Sequence, residues 1–328
     1  MTKTNIVITD GYTLNPGDNP WDELAALGNL IIYERLGIDE VAERCREADI
    51  LVVNKTRIRA GALAAMPRLK FIAVSATGFD CVDSEAAGKR GIAVSNVPVY
   101  GTDSVAQYVF SAILHCWHNI AVHDAAVKAG EWVRQPDWSF WKMPLVELRD
   151  KTIGIVGFGR IGRRVGQLAD AFGMRVLAYD PDQKVAPNYR SFAWASLKEV
   201  FAEADVVTLH CPLTEDNQRL VNRALLARMK KNAILINAAR GGLVDERDLA
   251  EALNSGNLAG AVVDVVSTEP IAADNPLLEA GNIVITPHLA WATREARRRL
   301  MSSTAENIKA FMAGKPQNVV NARFLAPA

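Results

Sequence analysis

The stretch from Lys151 to Asp180, KTIGIVGFGRIGRRVGQLADAFGMRVLAYD, constrains the fold more than any other. Ile153, Ile155 and Val156 read as a buried parallel strand that runs into Gly157-Phe158-Gly159-Arg160-Ile161-Gly162. The period then changes. Ile161, Val165, Leu168 and Phe172 recur at helical spacing, Gly173 closes the helix, and a second strand from Arg175 to Tyr179 stops at Asp180. This is a βαβ unit with its glycines at the first turn. Gly157 permits the tight turn, Gly159 lets a pyrophosphate approach the backbone, and Gly162 lets helix and strand pack closely, leaving helix N-terminal N–H groups for phosphate. Asp180 can accept both ribose hydroxyls and would repel a 2′-phosphate, which favours NAD over NADP. FAD and S-adenosylmethionine sites share the glycine pattern, so the rest of the chain has to choose among them.

The chain has 328 residues, enough for two cores, and its 37 basic and 37 acidic side chains give no electrostatic reason to expect nucleic acid or an anionic membrane. A small-molecule partner is expected. The absence of a membrane-length apolar run and of an export leader points to a cytoplasmic protein. The four cysteines, Cys45, Cys81, Cys116 and Cys211, form no C-x-x-C pair and read as buried thiols.

Before residue 98, strand-like runs (Asn5 to Ile8, Ile50 to Val53, Leu69 to Val74, Ile92 to Val94) alternate with helical ones at Trp21 to Leu27 and Asp39 to Ala48. The loops Asn54-Lys55-Thr56 and Ser75 to Asp80 follow strands, where ligands gather in parallel sheets; Gly78 would leave amides free for an anion. A single long helix is expected from Thr102 or Ser104 to about Lys128, carrying His115, His118 and His123. No acidic or cysteine partner falls at a matching turn, so no metal is expected there. The segment Glu131 to Trp141, with Trp132, Trp138 and Trp141, is too aromatic for a solvated loop and is expected to dock on a second subunit.

After the glycine turn, helices at Leu197 to Ala204, Arg223 to Met229 and Glu246 to Leu253 alternate with strands at Val206 to Leu209, Ile234 to Ile236, Ala261 to Val265 and Ile283 to Ile285. At least six strands describe a doubly wound Rossmann sheet. A last long helix, Thr293 to about Met312, and the tail Asn318 to Asn321 are expected to return to the first domain, with a cleft between the two.

Three ionisable residues follow successive strand ends: Arg240, Glu269 and His288, flanked by Gly241-Gly242, Pro270 and Pro287. An arginine fork can hold a carboxylate and an adjacent carbonyl oxygen. A histidine can move the proton that accompanies hydride transfer, and a glutamate beside it would select the tautomer and favour the imidazolium. Together they match hydride exchange between nicotinamide and a 2-keto acid.

With these residues the chain resembles the D-isomer-specific 2-hydroxyacid dehydrogenases. The likeness runs through the Gly157 to Gly162 fingerprint with Asp180, His210-Cys211-Pro212-Leu213-Thr214, Asn237 to Asp245, Asp264 to Pro270 and Thr286-Pro287-His288. It implies an α/β protein of two domains: a smaller flavodoxin-like substrate domain (1–98 plus 290–328), and a Rossmann NAD-binding domain (99–289) inserted in it, with a dimerisation arm at about 115–145. It implies catalysis by Arg240, Glu269 and His288, and substrate binding by Ala76, Thr77, Gly78 and Arg240. NAD(H) would meet Thr102, Gly157, Gly159, Arg160, Ile161, Gly162, Asp180, His210, Cys211, Pro212, Ala238, Arg240, Asp264 and His288, with no metal.

Within the family the chain looks most like the glycerate dehydrogenases, or hydroxypyruvate reductases. The expected reaction is NADH-dependent reduction of hydroxypyruvate or glyoxylate in a homodimer, with Trp138 or Trp141 reaching the partner's pocket. Another 2-keto acid such as the precursor of D-lactate, or a nicotinamide-sensing corepressor, is the alternative. Gln107 departs from the glutamate common in the family.

Overall fold

The computed structural model describes residues 3–183 and 185–325. These form two compact units, one running to Gly101 and resuming at Ala292, the other spanning Thr102–Trp291.

The first unit is built on five described strands, β1 (Asn5–Ile8), β2 (Asn29–Ile32), β3 (Ile50–Val53), β4 (Phe71–Val74) and β5 (Ala93–Ser95), in the order β2-β1-β3-β4-β5 and all parallel. This is the flavodoxin-like order. The central strands β3 and β4 are buried at every residue, which is why they read as unbroken apolar runs. Strand β2 is not among the strands expected from sequence: it is a largely exposed edge strand whose apolar run Leu30-Ile31-Ile32 is too short for periodicity to assign. The helix Arg294–Met312 is capped by Thr293, whose hydroxyl accepts from the Ala296 amide, and it stacks Phe311 on Phe71 of β4 with centroids 4.4 Å apart. The tail follows along β5. The Val320 amide donates to the Val94 carbonyl, and Asn321 accepts from the Val94 amide while donating to Ile92.

The second unit is built on seven described strands, β6 (Thr152–Val156), β7 (Arg175–Tyr179), β8 (Phe192–Trp194), β9 (Val206–Leu209), β10 (Ile234–Asn237), β11 (Gly260–Val263) and β12 (Ile283–Ile285). Their order is β12-β11-β10-β9-β6-β7-β8, again all parallel, so the sheet reverses its direction of growth between β6 and β9. A doubly wound sheet opens its ligand crevice at such a reversal, beyond the carboxyl ends of the strands. Strand β8, a short edge strand, was not foreseen.

The expected single helix from Thr102 to Lys128 is two, Thr102–His118 and Ile120–Lys128. Asn119 breaks it in the left-handed region at φ 36°, and its side-chain oxygen caps the second helix by accepting from the Val122 amide. Asparagine tolerates that conformation better than other non-glycine residues, so the apolar periodicity runs past a real break.

Candidate active site

At the reversal point the glycine turn has the geometry that a dinucleotide requires. Gly157 lies at φ 91°, and a β-carbon there would meet the Cys211 amide nitrogen at 2.4 Å, so only glycine lets β6 turn against the loop after β9. A β-carbon on Gly162 would lie 2.2 Å from the Gly157 carbonyl oxygen, which sets how closely the helix Arg160–Ala171 packs. Gly159, at the N-cap of that helix, faces open space, leaving a cradle of the kind a pyrophosphate fills. Asp180 stands at the end of β7, its carboxylate accepting from the Phe158 and Asp182 amides. Beneath the turn, Phe158 is buried against Phe192 and Trp194. His210, which bonds Thr208 through Nε2 at 3.0 Å, is held neutral, because burial pushes its pKa down to about 3.

Three loops beyond β10, β11 and β12 carry the ionisable residues. Asn237, buried at the end of β10, braces its own loop: its amide donates to the Arg240 carbonyl and its oxygen accepts from Ala239. Gly241 is pressed on the next loop so closely that a β-carbon would sit 1.9 Å from the Val266 carbonyl carbon. That contact ties the loop of Arg240 to the loop of Glu269. Glu246, at the start of the helix Glu246–Asn254, grips the same loop by accepting from the Ser267 amide at 2.6 Å, the Ser267 hydroxyl and the Asn275 amide. Glu269 then pairs with His288, Oε2 to Nδ1, at 2.7 Å. With Nδ1 engaged by a carboxylate, Nε2 is the nitrogen left to exchange a proton.

The loop bearing His288 hangs from Asp264. This buried carboxylate accepts from the Thr286 hydroxyl (2.6 Å) and from the Leu289 and Ala290 amides (2.8 Å each), and the Asp264 carbonyl accepts from the His288 amide at 2.7 Å. Burial pushes the Asp264 carboxyl up, opposed by those donors and by His288. His288 itself lies in the left-handed region at φ 53°.

In the first unit, Asp10 beyond β1 organises the loop beyond β3. Its carboxylate accepts from the amides of Asn54 (2.9 Å), Lys55 (2.5 Å) and Thr56 (2.9 Å). The Asn54 side chain in turn donates to the Ser75 carbonyl at 2.6 Å, joining this loop to the one beyond β4. There the carbonyls of Ala76 and Thr77 accept from the Val97 amide and the Asn96 side chain, while the Thr77 and Gly78 amides donate to no acceptor among the described residues.

This geometry has known counterparts. Residues 110–290 match the family model described as "D-isomer specific 2-hydroxyacid dehydrogenase, NAD binding domain". The chain belongs to that family. It is 45% identical over 319 residues to a hydroxypyruvate reductase of Blautia hydrogenotrophica, covering 96% of this chain and 99% of the relative. It is 40% identical over 286 residues to a glycerate dehydrogenase of Methylorubrum extorquens, covering 87% and 89%. Among solved structures, a D-lactate dehydrogenase of Aquifex aeolicus complexed with NAD and lactic acid matches with a TM-score of 0.80 and 29% identity, covering 99% of this chain and all of that one. The domain around the glycine turn is thus an NAD binding domain, and NAD(H) is its cofactor.

Of the residues foreseen from sequence, Glu269 and His288 are in contact, and the loop of Arg240 is packed on that of Glu269. Arg160 and Ile161 open the helix after the glycine turn, Cys211 backs Gly157, and Pro212 follows it in the same loop. Ala238 lies within the braced Arg240 loop, and Thr102 begins the helix Thr102–His118. Ala76, Thr77 and Gly78 belong to the first unit. Among the described residues no group of histidine, cysteine or acidic side chains could hold a metal, and no helix is long and apolar enough to cross a membrane. The roles of Asp10, Glu246 and Tyr108 are not visible in the sequence, where Tyr108 reads only as part of the apolar face of its helix and Glu246 as the start of another. Their roles depend on partners far along the chain, and only a carboxylate directly after a strand, as at Asp10, left any local signal.

Proposed function

We propose that the chain is an NADH-dependent reductase of hydroxypyruvate or glyoxylate, producing D-glycerate or glycolate reversibly. The observation that carries this reading is the Glu269–His288 pair at 2.7 Å across two strand-end loops of an NAD binding domain, with the loop of Arg240 packed on that of Glu269. The names of the relatives at 45% and 40% identity support the substrate class. Bound NADH supplies the hydride. Arg240 holds the substrate carboxylate and the adjacent carbonyl oxygen through its planar fork, polarising the carbonyl, and His288 delivers the proton from Nε2 to that oxygen as the hydride reaches carbon. Glu269 fixes the orientation of the imidazole through Nδ1. The Thr77 and Gly78 amides, which lack acceptors of their own among the described residues, supply further donors to the carboxylate. Asp180 favours NADH over NADPH by charge.

The enzyme works as a homodimer in this reading. The arm after Asn119 keeps Val133 90%, Trp138 89% and Trp141 67% exposed, more apolar surface than a solvated segment normally carries. The arm is nonetheless ordered internally, by Trp132 donating to the Trp138 carbonyl and by the Lys142–Glu131 ion pair at 2.7 Å. All four cysteines are free thiols, consistent with a place in the reducing cytoplasm.

Initial rates of NADH oxidation with hydroxypyruvate, glyoxylate, pyruvate and phenylpyruvate test the reading. Turnover should be fastest with the first two, and His288→Ala should lower kcat by roughly a thousandfold while NADH binding persists. Fast turnover only with phenylpyruvate would move the substrate to a bulkier class. Tight NADH binding without turnover on any of them would refute the reductase.

A further inference from the structure

We propose that Tyr108 is a positioning residue for the acid/base loop, acting on His288 through Thr286 and Asp264. The inference rests on the assignment of His288 above and deepens it.

The loop Thr286 to Ala290 has to hold a histidine at positive φ, a conformation that is unfavourable for a non-glycine residue unless its surroundings impose it. Asp264 supplies the restraint from below with its carboxylate and carbonyl. The helix Thr102–His118 supplies it from the side. Ser104 and Tyr108 are one turn apart and therefore share a face. The Ser104 hydroxyl donates to the Ala290 carbonyl at 2.6 Å, and the Tyr108 hydroxyl meets the Thr286 hydroxyl at 2.6 Å. The helix thus grips the loop at both ends, two residues on either side of His288.

The direction of the Tyr108 contact follows from proton counting. An ionised Asp264 can only accept, so Thr286 spends its one proton on that carboxylate, and the Tyr108 hydroxyl must donate to Thr286 Oγ1. The chain Tyr108 to Thr286 to Asp264 fixes the Thr286 rotamer. It also points the Asp264 oxygens at the Leu289 and Ala290 amides, which set the backbone on which His288 stands. Burial of the phenol, which pushes its pKa up to about 12, keeps Tyr108 a neutral donor throughout the working range.

Tyr108→Phe keeps the ring and removes only the donor. Full-length wild type, Tyr108→Phe and His288→Ala are compared for kcat and KM with hydroxypyruvate, for the solvent deuterium isotope effect on kcat, and for NADH affinity by fluorescence. In Tyr108→Phe, kcat should fall roughly tenfold and the solvent isotope effect should rise, because a displaced imidazole slows proton delivery; KM and NADH affinity should stay within about twofold of wild type. A merely structural tyrosine would lower the melting temperature or NADH affinity without raising the isotope effect, and that result overturns the proposal, as does wild-type kcat. Should Tyr108→Phe fold poorly, Thr286→Ser and Thr286→Val carry the same test. Serine retaining the rate while valine loses it supports the chain of hydroxyls, and equal rates in the two refute it. An active wild type with an inactive His288→Ala and an unimpaired Tyr108→Phe removes Tyr108 alone. An enzyme inactive on every keto acid removes the reading of His288 and this inference with it.

Discussion

The loops beyond the two sheets are held by similar means to different ends. Beyond β10, β11 and β12, polar groups (buried Asn237 and Asp264, half-buried Glu246) spend their hydrogen bonds on backbone and neighbouring polar side chains so that Arg240, Glu269 and His288 are fixed in place. Beyond β3 and β4, one carboxylate, Asp10, gathers three successive amides, and the adjoining loop offers backbone N–H groups instead of charged side chains. A loop that performs chemistry needs side chains of defined protonation and direction. One that recognises a carboxylate, the part proposed above for the Thr77 and Gly78 amides, needs only amides held at the right spacing. Substitutions in the first set should therefore act on kcat, and those in the second on KM.

The largest effect that could break this division is expected at Arg240. Arg240→Lys keeps the charge and loses the planar fork, and kcat/KM for hydroxypyruvate should fall by roughly a hundredfold, with kcat carrying part of the loss because the carbonyl oxygen is no longer polarised. A change confined to KM, measured under saturating NADH, would place Arg240 with the recognition loops instead.

The same division accounts for what was legible in the sequence. Arg240, Glu269 and His288 each follow an apolar strand and each lies beside glycine or proline, so strand pattern and punctuation located them without a structure. The glycine turn was readable for the same reason, because strand, turn, helix and acid fall within a single stretch. The supports were not legible. Asp10 acts on amides 44 to 46 residues away, and Tyr108 on a hydroxyl 178 residues away, distances over which no periodicity carries information. Edge strands β2 and β8 escaped although Leu30-Ile31-Ile32 and Phe192-Ala193-Trp194 are apolar, because runs of three residues are too short for periodicity to tell a strand from a helix turn or loop. The break at Asn119 escaped because a left-handed residue leaves the flanking helical periods intact.

A smaller effect is expected at Asp10. Asp10→Ala removes the acceptor for three amides and frees the Asn54 to Thr56 loop, which is joined through Asn54 to the Ser75 carbonyl. KM for the keto acid should rise roughly tenfold with kcat nearly unchanged, provided the protein is assayed well below its melting temperature, since the orphaned amide of buried Asn54 also costs about 1 to 3 kcal/mol. Equal losses in kcat and KM would show that these loops take part in the chemical step and that the contrast drawn between the sheets is false.

The smallest effect separates the two regions by pH. Cys81, whose thiol donates to the Asn54 carbonyl beyond β3, is pushed up to about 11 by burial; Tyr108, beside the acid/base loop, is pushed up to about 12 by the same cause. Both groups are neutral acids whose folded pKa exceeds the unfolded value, roughly 8.5 for a thiol and 10 for a phenol. Below the unfolded value neither state is ionised and the fold keeps its full stability. As pH rises the unfolded chain ionises first and is favoured, so stability is lost from roughly pH 8.5 to 11 through Cys81 and from roughly pH 10 to 12 through Tyr108. In melting curves taken across this range, Cys81→Ala should flatten the decline in the lower window and Tyr108→Phe in the upper one. The other thiols, buried Cys45 and half-buried Cys116 and Cys211, are also pushed up by burial, the first two to about 11, and give both variants the same background slope. Parallel curves for wild type and both variants would mean that each group ionises as readily in the fold as out of it, and the burial assigned to the two loops would be wrong.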